Sequence, residues 1–186
     1  SFLTRYELEQ IGFKSLGSNV MVSKYARLYN PSKMELESDI RIDDFCILSG
    51  DIHIGNYVHV AAGTYLFGAA GINIGDFVGL SSRICIYSVS DDYTGEYLTN
   101  PLIPEKYRNV DARPVTLERH VIVGTGSTIL PGVALGEGVA IGAMSLVTKS
   151  LNSWVFAIGN PAKAVMERKR NLLALEREFI QERNNE

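Results

Sequence analysis

The 186-residue sequence predicts a single-domain, all-β solenoid: a parallel β-helix built in six-residue steps, with a long excursion loop and a C-terminal α-helix. Three observations predict it. The first is a spacing of six. Leu16, Val22 and Leu28 fall on it. After two extra residues Leu36, Ile42, Leu48, Ile54, Val60 and Leu66 follow, and after two more Ile74, Leu80 and Ile86. Beyond a long interruption come Leu117, Val123, Ile129, Leu135, Ile141 and Val147. Leu, Ile and Val total 49 of 186 residues, so chance fills only about five of these slots. The second observation is the residue two places earlier, which is small or β-branched, as in Val20, Cys46, Thr64, Val78, Ser127 and Val139. Strand side chains alternate, so both residues face inward. The third is Gly directly after the aliphatic slot at 17, 55, 75, 124, 136 and 142, which suits a corner that needs positive φ.

The elements follow in order. Residues 1–15 form an N-terminal helical cap, started by a capping box of Thr4 and Glu7. Residues 16–161 form the β-helix. Three hexads close a triangular coil, and six coils stacked ~4.8 Å apart make a prism on the order of 30 Å long. The usual crossover rule favours a right-handed winding, but the period alone does not set the hand. The interruption, residues 87–116, is an ordered loop that binds an acceptor or clasps a neighbouring subunit; it carries Asp91, Asp92, Tyr93, Glu96, Tyr97, Tyr107 and three prolines. Residues 162–186 form the terminal helix, with Val165, Met166, Leu172, Leu173, Phe179 and Ile180 as its apolar stripe. Arg168, Lys169 and Arg170 are a solvated face or lie near a phosphate.

Composition excludes several classes. Apolar residues are 46% and charged residues 21%, the balance of a folded domain. A net charge of −3 argues against a non-specific nucleic-acid binder. No apolar run is long enough for a membrane span, and Ser1-Phe2-Leu3 followed by Arg5 and Glu7 is not a signal peptide. A cytoplasmic location is therefore expected. Cys46 points inward and Cys85 outward, so no disulfide is expected. No Gly-x-Gly-x-x-Gly or Walker motif occurs.

The segments Ile54-Gly55-Asn56-Tyr57-Val58, Ile74-Gly75-Asp76-Phe77-Val78, Val123 to Val133, Ile141 to Lys149 and Gly159-Asn160-Pro161-Ala162-Lys163 carry a resemblance. From Leu16 to Lys163 the chain resembles the hexapeptide-repeat acetyltransferases, in their sugar and xenobiotic O-acetyltransferase branch. The resemblance implies a left-handed coil, a homotrimer and an acetyl-CoA site between subunits. It implies that Thr125 and Ala143, with Gly124 and Gly142 allowing close approach, meet pantetheine. It places Thr148, Lys149 and Lys163 near the adenosine and its phosphates. Asp91, Asp92 and Tyr93 are the implied acceptor-binding residues of the loop. The family often places its catalytic His in this loop, and here Val89 to Asp92 stands instead.

Acyl transfer to a hydroxyl needs a base, and His suits it near neutral pH. Only His53, His59 and His120 exist. The phase points His53 and His59 outward on different faces and puts His120 on a corner. His59 is the first choice as base, because Gly79 in the next coil leaves space beside it; His120 is the second. The expected function is acetyl-CoA-dependent acetylation of a sugar hydroxyl. Its alternatives are N-acetylation of a nucleotide-linked amino sugar and a non-catalytic scaffold. A metal-dependent enzyme of the γ-type carbonic anhydrase kind needs two His five residues apart, which are absent, so no metal is expected.

Overall fold

In the computed structural model, which describes residues 1–185, the chain winds into a left-handed parallel β-helix of about seven turns. Each turn adds one short strand to each of three faces. Face I stacks residues 15–16, 34–36, 52–54, 72–74, 115–117 and 134–135. Face II stacks Val20–Val22, Ile40–Ile42, Val58–Val60, Gly79–Leu80, Ile122–Val123, Ala140–Ile141 and Val155–Gly159. Face III stacks Arg27–Tyr29, 47–49, 65–67, Cys85–Tyr87, Thr128–Ile129 and Leu146–Val147. The two-residue shifts in the repeat are real. One is a 3-10 turn at Pro31–Lys33, the other a widening of the corner at 68–71 where the register between the neighbouring strands shifts.

Every aliphatic slot points into the prism. All are buried except Leu16 and Leu28 of the first turn, which are partly buried. Cys46 is buried with its Sγ 3.3 Å from the Ala61 carbonyl, and Cys85 is half-buried; both are free thiols. Burial raises the pKa of both, so neither is activated as a thiolate.

The glycine reading needs correction. Gly17, Gly55, Gly75, Gly124, Gly136 and Gly142 are not the positive-φ residues. A Cβ on Gly124 would lie 2.5 Å from the Ala143 nitrogen, and one on Gly75 2.8 Å from the Arg119 nitrogen. Gly stands there because the backbone of the next turn lies directly against it. The left-handed residue comes two places later. It is Gly63 or Gly126, both at φ 72, but also Tyr57, Phe77, Arg83, His120, Met144 and Trp154, with φ between 58 and 62. The corner imposes the strain whether or not Gly is used.

The flanks follow the sequence in part. Helix α1 spans Arg5–Ile11 with both halves of the Thr4–Glu7 capping box, and it ends at Gly12 with φ 80. Helix α2 spans only Leu172–Arg183. The first residues of the expected helix, Ala162–Glu167, are instead a strand that turns back at Asn160-Pro161 and pairs antiparallel with Val155–Gly159. That strand covers the edge that the last turn would otherwise leave unpaired. Val165 and Met166 are therefore exposed and not part of an apolar helical stripe. No helix among the described residues is long and apolar enough to cross a membrane.

Helix α2 runs along the I/II edge. There the left-handed corners of successive turns form a ladder of rings. Tyr57 stacks on Phe77 at 4.8 Å, and Phe77 stacks on His120 at 5.2 Å. Trp154 lies 6.5 Å beyond His120. Phe179 of α2 sets its edge against Tyr57 and Phe77, Arg170 covers Trp154, and Arg183 covers Tyr57.

Candidate active site

The expected loop leaves the prism after Tyr87 and returns at Val115. Its base is a short antiparallel pair, Val89–Ser90 with Asp111–Ala112. Ser88 and Arg113 tie it to the III/I edge: Ala70 N–H donates to Ser88 Oγ at 2.8 Å, Arg113 N–H to the Ser88 carbonyl at 3.0 Å, and Gly132 N–H to the Arg113 carbonyl at 3.3 Å. Asp92 accepts from Thr94 Oγ1 and from the Thr94 and Gly95 N–H groups. Burial pushes its pKa up, but these donors outweigh it and hold the carboxyl below its ordinary value. Asp91 accepts from the Asn100 N–H, and Tyr93 is 92% exposed.

His59 stands on face II, where the phase puts it. It pairs in register with Gly79, and the missing side chain opens a shallow groove of about 330 Å³ lined by His59, Ala61, Gly79, Leu80, Ser81, Ser82 and Ile122. The His59 side chain is 50% exposed, and its Nε2 lies 2.8 Å from Asp43 Oδ2. Asp43 also accepts from Arg41 Nε at 2.7 Å. Burial pushes the Asp43 pKa up, while the bonds from His59 and Arg41 pull it further down, so it lies below the ordinary value. In the neutral tautomer whose Nε2–H donates to this carboxylate, Nδ1 carries the free lone pair. Sequence reading missed Asp43. It is sixteen residues before His59 and becomes its neighbour only because one turn stacks on the next. Ser81 and Ser82 were also missed, being ordinary corner residues in sequence.

The Asp43 carboxylate has a consequence for acid stability. Its folded pKa lies below its unfolded one, so its stabilisation is complete above the unfolded value of about 3.9 and is lost as pH falls through the folded value. Thermal scans from neutral pH downward are expected to show a melting temperature that holds until about pH 4 and then declines. Asp43→Asn is expected to start lower and decline less; an identical decline in the variant overturns this attribution.

His120 does not stand as an open corner. It is 8% exposed, lies beneath α2, and has its Nε2 2.8 Å from Glu176 Oε2. Its ring is enclosed by Phe77 and Trp154, and Arg119 shares Glu176. The sequence showed no reason for this burial, because Glu176 lies on a separate helix. His120 Nε2 is thus engaged by the helix, while its ring also lines a surface pocket of about 380 Å³ with Tyr57, Phe77, Leu175 and Phe179. His53 lies on face I, 3.6 Å from Glu37, away from the groove.

The residues assigned to the donor divide between two edges. Gly124, Thr125, Gly142 and Ala143 lie in consecutive turns on the II/III edge, where Thr125 Oγ1 donates to the Ser82 carbonyl at 2.6 Å. Lys163 pairs with Ile158 in the last turn, near the same edge. Thr148 and Lys149 follow Val147 onto the III/I edge. The set thus borders face III on both sides and is not one row. All of its lysines are exposed.

The fold and groove define a class: a left-handed β-helix with an imidazole–carboxylate pair in a surface groove and a protruding loop. No family profile matches the chain. It is 40% identical over 182 residues to a dTDP-4-amino-4,6-dideoxy-D-glucose acyltransferase of Escherichia coli, covering 96% of this chain and 95% of that one. AntD, an N-acyltransferase from Bacillus cereus solved with dTDP and 3-hydroxybutyryl-CoA, superposes with a TM-score of 0.97 at 47% identity over 99% of this chain and 98% of that one. A serine-to-cysteine variant of AntD, solved with dTDP-4-amino-4,6-dideoxyglucose and coenzyme A, gives 0.96 at 46% identity, covering 98% of both chains. The chain belongs to the sugar acyltransferases of the hexapeptide-repeat family.

Proposed function

We propose that the protein transfers an acyl group from an acyl-CoA to the amino group of a nucleotide-linked 4-amino-4,6-dideoxy sugar. The observation that carries this reading is the end-to-end likeness to the acyltransferase of Escherichia coli and to AntD. The hydroxyl acceptor expected from the sequence gives way to its alternative, the amine.

The groove on face II suits that chemistry. An amine attacks a thioester only with its lone pair free, and forming the amide releases a proton. The nitrogen forms a bond to the acyl carbon, the carbon–sulfur bond breaks, and the thiolate leaves. His59 Nδ1 takes the amine's proton while Asp43 holds the ring. Ser81 and Ser82 supply hydroxyls beside the acceptor. Asp91 and Asp92 attract the ammonium form of the sugar. Within one chain no hydrogen bond joins these acids to His59 or Ser82 among the described residues, and the loop is rooted at the opposite edge of face III. This reading puts the complete site between copies, with the loop of one reaching the groove of the next in the homotrimer that the family resemblance implies.

The test is thiol release from acetyl-CoA and 3-hydroxybutyryl-CoA with dTDP-4-amino-4,6-dideoxyglucose, against the same nucleotide sugar bearing a 4-hydroxyl. Turnover is expected with the amine and at least about 100-fold less with the hydroxyl, since a site built for one polar group discriminates strongly against its replacement. Equal or faster turnover of the hydroxyl sugar restores O-acylation. Binding of both ligands without turnover favours the scaffold.

A further inference from the structure

The same corner position is treated in opposite ways on two edges of the prism. On the I/II edge each left-handed side chain has a partner: Asp39 holds Asn19 and Arg183, and Tyr57, Phe77, His120 and Trp154 stack beneath α2. On the II/III edge the column runs Phe45, Gly63, Arg83, Gly126, Met144. Phe45 lies against Tyr25, but Arg83 and Met144 stand in the open, and Met144 is 74% exposed. The Arg83 N–H donates to the Ala62 carbonyl at 3.0 Å, but its guanidinium makes no ion pair or hydrogen bond among the described residues. Several other arginines are engaged, Arg41 with Asp43, Arg113 with Asp111, Arg119 with Glu137 and Glu176, and Arg168 with the His120 and Gly138 carbonyls; among those that are not, Arg83 is the one that stands beside the His59 groove.

The surroundings of Arg83 are also bare. Glycine lies one turn below it and one turn above it. A Cβ on Gly63 would touch the Arg83 stem at 3.4 Å, so the side chain lies over that glycine. Arg83 follows Ser81 and Ser82 of the groove directly, and Gly124 and Thr125 stand in the next turn. The corner also holds Arg83 at φ 60, a conformation that disfavours any residue with a side chain. An unpaired guanidinium on a glycine-floored edge beside a substrate groove matches the forked geometry of phosphate recognition.

We propose that Arg83 binds a phosphate of a nucleotide ligand at the II/III edge. This deepens the function proposed above and rests on it for the identity of the ligand. Two sources share the chemistry: the diphosphate of the sugar nucleotide and the phosphates of the acyl-CoA.

The experiment uses Arg83→Gly and Arg83→Lys in the full chain. Glycine removes the charge and relieves the left-handed strain, so loss of function in that variant is not loss of fold. Binding of dTDP and of coenzyme A is measured by calorimetry, so the outcome does not depend on turnover of any acceptor. Loss of roughly tenfold or more for one ligand is expected in Arg83→Gly, with an equal or higher melting temperature and a smaller loss in Arg83→Lys. Loss for dTDP alone assigns the sugar nucleotide; loss for coenzyme A alone assigns the donor. Affinities unchanged for both overturn the proposal. So does a fall in both affinities together with dissociation of the oligomer, which makes Arg83 a clasp for a neighbouring chain. If the wild type binds dTDP and coenzyme A but turns over no amino sugar, the proposed function fails while the Arg83 comparison still decides.

Discussion

Replacing His59 by Asn is expected to lower kcat on the amino sugar by about 10²–10⁴-fold, the usual contribution of a positioned base. The substitution keeps a planar polar group of similar reach and removes the atom that takes the proton. His59 is outward on face II and half exposed, so the core does not depend on it. The melting temperature should therefore hold, and the KM for the acyl donor should hold with it. The acid limb of the pH–rate profile should flatten, which a structural role alone does not produce. Retention of kcat within about twofold removes His59 as base and points to Ser82 or the loop acids. Ser82→Ala and Asp92→Asn are then the decisive variants, because they probe the groove and the loop separately.

Gly124→Ala is expected to destabilise the fold by about 3 kcal/mol or more, although it adds a single methyl. The added carbon would meet the Ala143 nitrogen at 2.5 Å and its Cα at 2.8 Å. Both atoms belong to the next turn, whose parallel strand is hydrogen-bonded on either side of it. No flexible side chain exists to move aside, so the whole turn must shift. At this chain length the melting temperature should fall by about 6–12 °C. Gly95→Ala is the control. Gly95 has a positive φ of 85 but nothing within 4 Å of a Cβ, so only the left-handed strain of about 1–2 kcal/mol applies. Equal losses in the two variants would mean that the next turn moves aside at little cost, so that its close approach does not demand glycine at 124.

The two corner roles show how far the sequence reaches. Period six with a second inward slot is a local pattern, and it specified the prism strands from Leu16 to Val147, the phase of His53 and His59, and the space at Gly79. The capping box of α1 was equally local, since Thr4 and Glu7 are three residues apart. The reason for the corner glycines was not local. Close approach to Ala143 and the left-handed torsion of the residue two places on are both set by the turn above.

The site divides along the same line. That His59 stands outward beside a gap followed from alternation and period alone. That Asp43 holds its Nε2, and that Ser82 shares its groove, required the stacking of one turn on another. The fate of His120 required more. Its burial depends on α2 returning along the I/II edge to bring Glu176 within 2.8 Å, a contact spanning 56 residues. The strand at Ala162–Glu167 likewise looked helical by its apolar spacing, and the unpaired edge of the last turn decided otherwise. Short-range periodicity thus determined the prism and the direction of each side chain. Contacts between turns and with the returning helix determined which of those side chains have partners, which are covered, and which are left open to a ligand.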